Sequence, residues 1–146
     1  MAERTRTEMD AVAINDFLES QHTGVLSMAD GDDAYGIPVS FDYDPDERAM
    51  YFRFGFGVQS EKRRFLEASD TASFTVYDRG AGGYQSVVAE GHLEQVTKSN
   101  LGSSVLEALD DLDIPYFQVH RRPAGDMDFA IVRLNVTSLS GIAERA

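Results

Sequence analysis

At 146 residues, with 42% hydrophobic and 10% aromatic side chains and no cysteine, the chain is sized for one domain, residues 1–146, and excludes disulfides, thiolate metal ligation and a cysteine nucleophile. Thirteen basic residues against 25 acidic ones give a net charge of −12, a surface that nucleic acid repels. No apolar stretch follows Met1 and no run nears the ~20 residues that span a bilayer, so the expectation is a cytoplasmic protein with no membrane contact.

Thr7 followed by Asp10 reads as a capping box, and Met9, Val12, Ala13, Phe17 and Leu18 recur at helical spacing, which predicts a helix over 8–21. Residues 23–28 are β-compatible, and Asp30-Gly31-Asp32-Asp33 supplies a turn. Then Tyr35, Ile37, Val39, Phe41 and Tyr43 alternate with Gly36, Pro38, Ser40 and Asp42, the second arm of a hairpin with one strongly apolar face. After a turn at 44–47, residues 50–54 resume the sheet with Met50, Phe52 and Phe54 on one side and Arg53 on the other.

Gly55-Phe56-Gly57-Val58-Gln59 breaks that pattern, and Ser60 is the N-cap of a short helix running to Ala68 that buries Phe65 and Leu66. Two further strands, 71–78 and 84–96, flank a glycine-rich loop at 79–83, and Gly91 marks a bend or bulge. Leu101, Val105, Leu106, Leu109 and Leu112 predict a helix over 99–112 that exits near Pro115. A final strand over 128–138 carries Ala130, Val132, Leu134 and Val136 on one side and Phe129 and Ile131 on the other, which reads as burial on both sides. The order is helix, three strands, short helix, two strands, helix, strand. That is a mainly β fold with peripheral helices, and six antiparallel strands of this length close, fully or partly, into a barrel.

The three histidines, His22, His92 and His120, show no metal-ligand spacing, so no metal site is expected. A GxSxG elbow is absent, and Gly55-Phe56-Gly57 lacks the third glycine and the parallel surroundings of a dinucleotide site. What remains is a set of anion-binding residues at a strand-to-helix junction: Arg53, Gly55, Gly57, Ser60 and Lys62. Free N–H groups at a helix start plus two cations suit a phosphate. Lys62 and Lys98 are the only lysines beside eleven arginines, so a lysine here is a mildly informative choice. The competing reading pairs Lys62 with Glu61 or Glu67 and Arg53 with a neighbouring strand.

Gly24-Val25-Leu26-Ser27, residues 35–41, 50–54 and 62–74, and Tyr84 through Gly91 together resemble the pyridoxamine 5′-phosphate oxidase-like flavin-binding split barrels, nearest the branch of the nitroimidazole-resistance proteins. The lysine-poor, aspartate-rich composition resembles proteins of salt-loving archaea, whose acidic surfaces stay soluble where ~1 M salt screens charge within ~3 Å. The resemblance implies a six-stranded antiparallel split β-barrel and a homodimer with two FMN molecules in clefts between subunits. Pro38, Val39, Ser40 and Phe41 match the strand whose backbone lines the flavin ring; Tyr51, Phe52 and Arg53 match the strand beside ring and phosphate; Lys62, with Ser60 ahead of it, matches the phosphate grip. Tyr84, Gln85 and Ser86 match a further strand that touches the ring. A sheet-edge proline and a half-buried strand tyrosine are the plainer readings of Pro38 and Tyr84.

In the nitroimidazole-resistance branch the position of Arg53 is often histidine, and arginine is no acid or base near neutral pH, so the resemblance does not carry that branch's activity here. No catalytic residue is assigned. The implied function is a flavin-dependent oxidoreductase working between a small-molecule electron donor and acceptor. Its rivals are a carrier or sensor of flavin or haem without turnover, with His120 beside Arg121 and Arg122 as the haem candidate, and a reductase using the deazaflavin F420 in the same barrel.

Overall fold

The computed structural model describes residues 5–56, 61–80, 82–96 and 128–145. Among these the chain forms Thr5–Glu8 (β1), Ala11–Ser20 (α1), Thr23–Asp30 (β2), Asp33–Asp44 (β3), Ala49–Phe56 (β4), Glu61–Ala68 (α2), Thr71–Gly80 (β5), Gly83–Val96 (β6) and Asp128–Arg145 (β7). The expected helix over 99–112 lies outside the described residues, as do Ser60, Pro115, His120, Arg121 and Arg122.

Six of the seven strands close a ring in the order β7-β4-β3-β2-β5-β6, with β6 returning to β7, and every pairing is antiparallel. The seventh, β1, lies outside the ring as an edge on the far end of β7. Ser86 on β6 stands level with Tyr77, Thr23, Ser40, Arg53 and Ile131, and the circuit returns to β6 at Val96, ten residues further along, with the β2–β5 and β3–β4 registers extended by two residues and one. A stagger of that size tilts the strands steeply to the barrel axis. The fold is thus the expected mainly β barrel, with seven strands where six were expected.

The alternation read along residues 35–43 is what fills the barrel: Val39 and Phe41 point inward with Tyr35, Ile37 and Tyr43 packed at the margins, and Met50, Phe52, Phe74, Val76, Val87, Val132 and Leu134 complete the interior. Phe74 meets Phe41 edge-on at 5.0 Å and Phe52 at 4.8 Å between ring centroids. Burial of side chains of this size contributes roughly 1.5–3 kcal/mol each. The β2–β3 turn is only Gly31-Asp32, with Gly31 at φ 59°, a conformation glycine adopts without strain. At the β3–β4 turn Asp44 Oδ1 accepts the N–H groups of Asp46 at 3.0 Å and Glu47 at 3.3 Å.

Three expectations are corrected. Thr7 does not cap a helix: residues 5–8 pair with β7 as a strand, and Asp10 is the N-cap, its carboxylate accepting the Ala13 N–H at 2.8 Å. Pairing with a distant strand outweighs the local capping pattern. The final strand continues to Arg145 rather than stopping at Ser138, because β6 and β1 both pair with its second half. Nor is it buried on both sides, since Ile131, Arg133 and Asn135 on its second face are half-buried.

Gly91 is the expected bulge, with the β6–β7 register slipping between Glu90 and Gly91. A Cβ there would overlap the Asn135 carbonyl, backbone that cannot step aside, whereas Gly82 has open space around it. Gly91→Ala should therefore destabilise the protein by about 1–3 kcal/mol in urea denaturation while Gly82→Ala changes little. Equal midpoints for the two variants would show that the β6–β7 seam tolerates a side chain.

Candidate functional site: the opening between β3 and β4

The β3–β4 ladder runs from Asp44 opposite Ala49 to Phe41 opposite Phe52 and stops there. Beyond that pair β3 continues along β2 through Asp33, and β4 continues along β7 to Phe56. The two strands therefore diverge, and the facing edges, Ser40 backward on β3 and Arg53 onward on β4, border an opening in the barrel wall. It is built by register alone.

Main-chain geometry fixes what lines this opening. Phe41 N–H donates to the His22 carbonyl at 3.1 Å, so odd-numbered residues of β3 turn their N–H groups toward β2 and even-numbered ones turn theirs toward the opening. Pro38 falls on an even position. Its missing N–H is on the unpaired side, so it removes no bond from the β2 ladder. Ser40, buried, turns its main-chain N–H to the same side at the end of the β3–β4 ladder, and Val39 and Phe41 support this edge from the core. Across the opening Arg53 is half-buried on the outer face of β4, and Phe52 lies wholly inside.

Pro38, Val39, Ser40, Phe41, Phe52 and Arg53 thus lie together where the two strands part. Tyr51 is close by but differently placed. It is 2% exposed on the outer face, covered by Arg133, whose Nη1 donates to the phenol oxygen at 3.0 Å and whose guanidinium carbon lies 5.5 Å from the ring centroid. It is not an exposed aromatic edge. Burial, first, pushes the Tyr51 phenol up, with Arg133 pulling the other way. Lys62 belongs to α2, which follows β4, but its side chain is outside the described residues.

Tyr84, Gln85 and Ser86 open β6, between β5 and the far end of β7, with Tyr84 and Ser86 half-buried and Gln85 exposed. Three strand spacings, roughly 14 Å at ~4.8 Å each, separate Ser86 from Ser40. They do not join the opening within one chain. The solvent-exposed aromatic in their neighbourhood is Tyr77, 61% exposed, with its ring 6.3 Å from that of Tyr84.

A sequence profile described as pyridoxamine 5′-phosphate oxidase matches residues 10–143. The chain belongs to this family. Solved structures bear out the fold. A Corynebacterium glutamicum protein assigned as a pyridoxamine 5′-phosphate oxidase superposes with a TM-score of 0.72 at 18% identity, covering 97% of this chain and 100% of its own. A Bacteroides thetaiotaomicron protein assigned to 5-nitroimidazole antibiotic resistance gives 0.66 at 14% identity over 98% and 90% of the two chains. The FAD and haem binding protein of Mycobacterium smegmatis gives 0.68 at 16% identity over 97% and 74%. None of the curated proteins matches the chain.

Sequence reasoning missed the polar row on the outer face of this family member's barrel. Asp42 faces Tyr51, Tyr51 faces Arg133, and Arg133 faces Glu94 across successive strands. Arg133 also meets Asn135 Oδ1 at 2.6 Å, Glu47 at 3.6 Å and Glu94 at 3.8 Å. The alternation along β4 and β7 held the signal, but only the registers join these residues. Among the described residues no helix is long and apolar enough to cross a membrane.

The Asp42 carboxyl is pushed up by burial and then by the Asp44 charge, with a hydrogen bond from the Tyr43 backbone opposing. A raised folded-state pKa means the folded protein binds the proton more tightly than the unfolded chain, so stability falls as pH rises through the two values. Asp42→Asn removes that ionisation. The variant should melt a few degrees above wild type at pH 7, and the difference should close below about pH 3, where the aspartate is protonated anyway. A variant that melts lower at pH 7 would mean the carboxylate makes a favourable contact that outweighs its burial.

Proposed function

We propose that this chain is an FMN-binding flavoprotein of the cytoplasm that acts as an oxidoreductase on a small molecule. The observation that carries this reading is the opening between β3 and β4, where the β3 main-chain edge from Pro38 backward has no β4 partner among the described residues and half-buried Arg53 stands on β4 just past the last ladder pair. A planar ring with hydrogen-bonding heteroatoms along one side fits such an edge, as an added strand would. The phosphate end then falls to Arg53, Lys62 and the start of α2, where cations and free N–H groups favour a dianion. FAD binding by a structural relative supports the flavin class.

When bound, the flavin supplies the electron or hydride chemistry. The protein's own residues bind and orient. Phe41 and Phe52 exclude water from beneath the ring, Ser40 offers its main-chain N–H, and Arg53 holds negative charge without exchanging a proton. Haem and F420 remain the alternative ligands. The first is favoured by the mycobacterial relative, a FAD and haem binding protein, and an absorbance spectrum of the purified protein separates it from flavin.

The active form in this reading is a homodimer. Exposed Tyr77 of β5 and half-buried Tyr84 at the start of β6 form an aromatic pair remote from the opening in one chain, and a second copy would cover Tyr77 and bring its own Tyr84, Gln85 and Ser86 to a shared cleft. Light scattering should give about twice 16.1 kDa. A monomer that still holds flavin would remove the shared cleft.

If Lys62 grips the phosphate, its charge-assisted hydrogen bond is worth roughly 1.5–3 kcal/mol. Lys62→Ala should then weaken FMN binding by about ten- to a hundredfold in a fluorescence titration, at ~1.4 kcal/mol per factor of ten, and leave riboflavin, which lacks the phosphate, almost unchanged. Lys98→Ala is the control. Unchanged FMN affinity in Lys62→Ala would return that lysine to the solvated surface.

A further inference from the structure

The short helix α2 is fastened to the β2–β3 hairpin at several points that differ in kind. Arg64 Nε donates to Asp30 Oδ2 at 2.9 Å and its Nη2 to Asp33 Oδ2 at 2.8 Å, so one guanidinium spans the two carboxylates that bracket the Gly31-Asp32 turn. The guanidinium carbon also lies 4.7 Å from the Phe65 ring centroid, and Phe65 stacks on Tyr35 of β3 at 4.8 Å with planes 6° apart. Just past the helix end Ser69 Oγ accepts the Ala29 N–H at 3.1 Å and donates to the Ala29 carbonyl at 2.8 Å.

Phe65, Leu66 and Ser69 are buried, and they dock the helix body whatever happens at the surface. Arg64 is half-exposed, and ion pairs of that kind add little to stability. What a forked guanidinium between two carboxylates on a two-residue turn supplies is geometry, because its planar donors meet both acceptors in one orientation only. Arg64 is the fourth residue of an eight-residue helix, on the same first turn as position 62. Without it the helix stays docked through Phe65, Leu66 and Ser69, and its first turn loses this tie to the hairpin.

We propose that Arg64 is a positioning residue: clamped between Asp30 and Asp33, it fixes the first turn of α2 and so sets how tightly the ligand's phosphate is held there. This rests on the FMN reading above. The clamp acts through the helix, not by touching the ligand.

The test compares FMN and riboflavin affinities by fluorescence titration for the full chain and four variants. Arg64→Gln should weaken FMN about three- to tenfold, less than Lys62→Ala, with riboflavin and the thermal midpoint nearly unchanged. Arg64→Lys keeps the charge and loses the fork, so it should behave like the glutamine variant. The pair Asp30→Asn with Asp33→Asn separates the clamp from plain electrostatics by sign. Removing two negative charges should strengthen FMN binding if charge alone matters, and weaken it if the clamp does. Full FMN affinity in Arg64→Lys, or tighter FMN in the double aspartate variant, overturns the clamp. If Lys62→Ala loses its preference for FMN while Arg64→Gln keeps it, the clamp fails and the phosphate reading stands; if neither loses it, the phosphate reading fails and takes the clamp with it.

Discussion

Four strands are locked together by one side chain, and the opening depends on it. Phe74 of β5 packs its ring against Phe41 and Phe52, the last pair of the β3–β4 ladder, and its tip lies where a side chain at Gly24 of β2 would have to be. The barrel is therefore filled with aromatic volume at the level where hydrogen bonding between β3 and β4 ends. Strands that part above a filled core do not let water into it. Had the interior been filled by small aliphatic residues at this level, parting the strands would have left a cavity, which costs roughly 24 cal/mol per Å³.

How much of this was legible depends on how local each cause is. The strand alternation at Tyr35 through Tyr43, the bulge at Gly91 and the buried pair Phe65 and Leu66 are set by periodicity and glycine within a few residues, and they read correctly from the chain. β1 was illegible because four residues with no pattern become a strand only when β7 runs past them. Tyr51 looked like a ligand-facing aromatic because its partner Arg133 is 82 residues away and only the β4–β7 register brings it overhead. The link from Arg64 to Asp30 and Asp33 likewise crosses more than thirty residues. In the candidate site, the β3 and β4 residues were legible as a group. The distance from them to Tyr84, Gln85 and Ser86 was not, since strand order is a property of the closed ring.

The acidic surface gives the arginines a second task. With 25 acidic residues on 146, a helix or strand carrying negative charge is repelled by its neighbours unless a cation lies between them. Arg64 does this between the hairpin and α2, and Arg133 does it among Glu47, Glu94 and the Tyr51 phenol. Both are arginines, whose fork meets two acceptors at once, where a lysine would meet them as a point charge. The bias toward arginine thus has a structural use here beside any adaptation to salt.

A site bounded by main chain constrains sequence weakly. What must persist is the register that ends the ladder at Phe41 and Phe52, volume beneath it, and an edge residue such as Pro38 whose side toward the opening needs no strand partner. Side chains on that edge can vary while the backbone stays put, which is how a relative at 18% identity retains the fold at a TM-score of 0.72 across 97% of the chain. The same logic bears on chemistry. With a cofactor supplying the electrons, the wall of the opening needs no acid or base of its own, and Arg53 is neither near neutral pH. Substrate choice in the flavin reading then falls to whatever closes over the ring from outside, so relatives sharing this barrel can differ in what they act on without changing the strands that hold the ring.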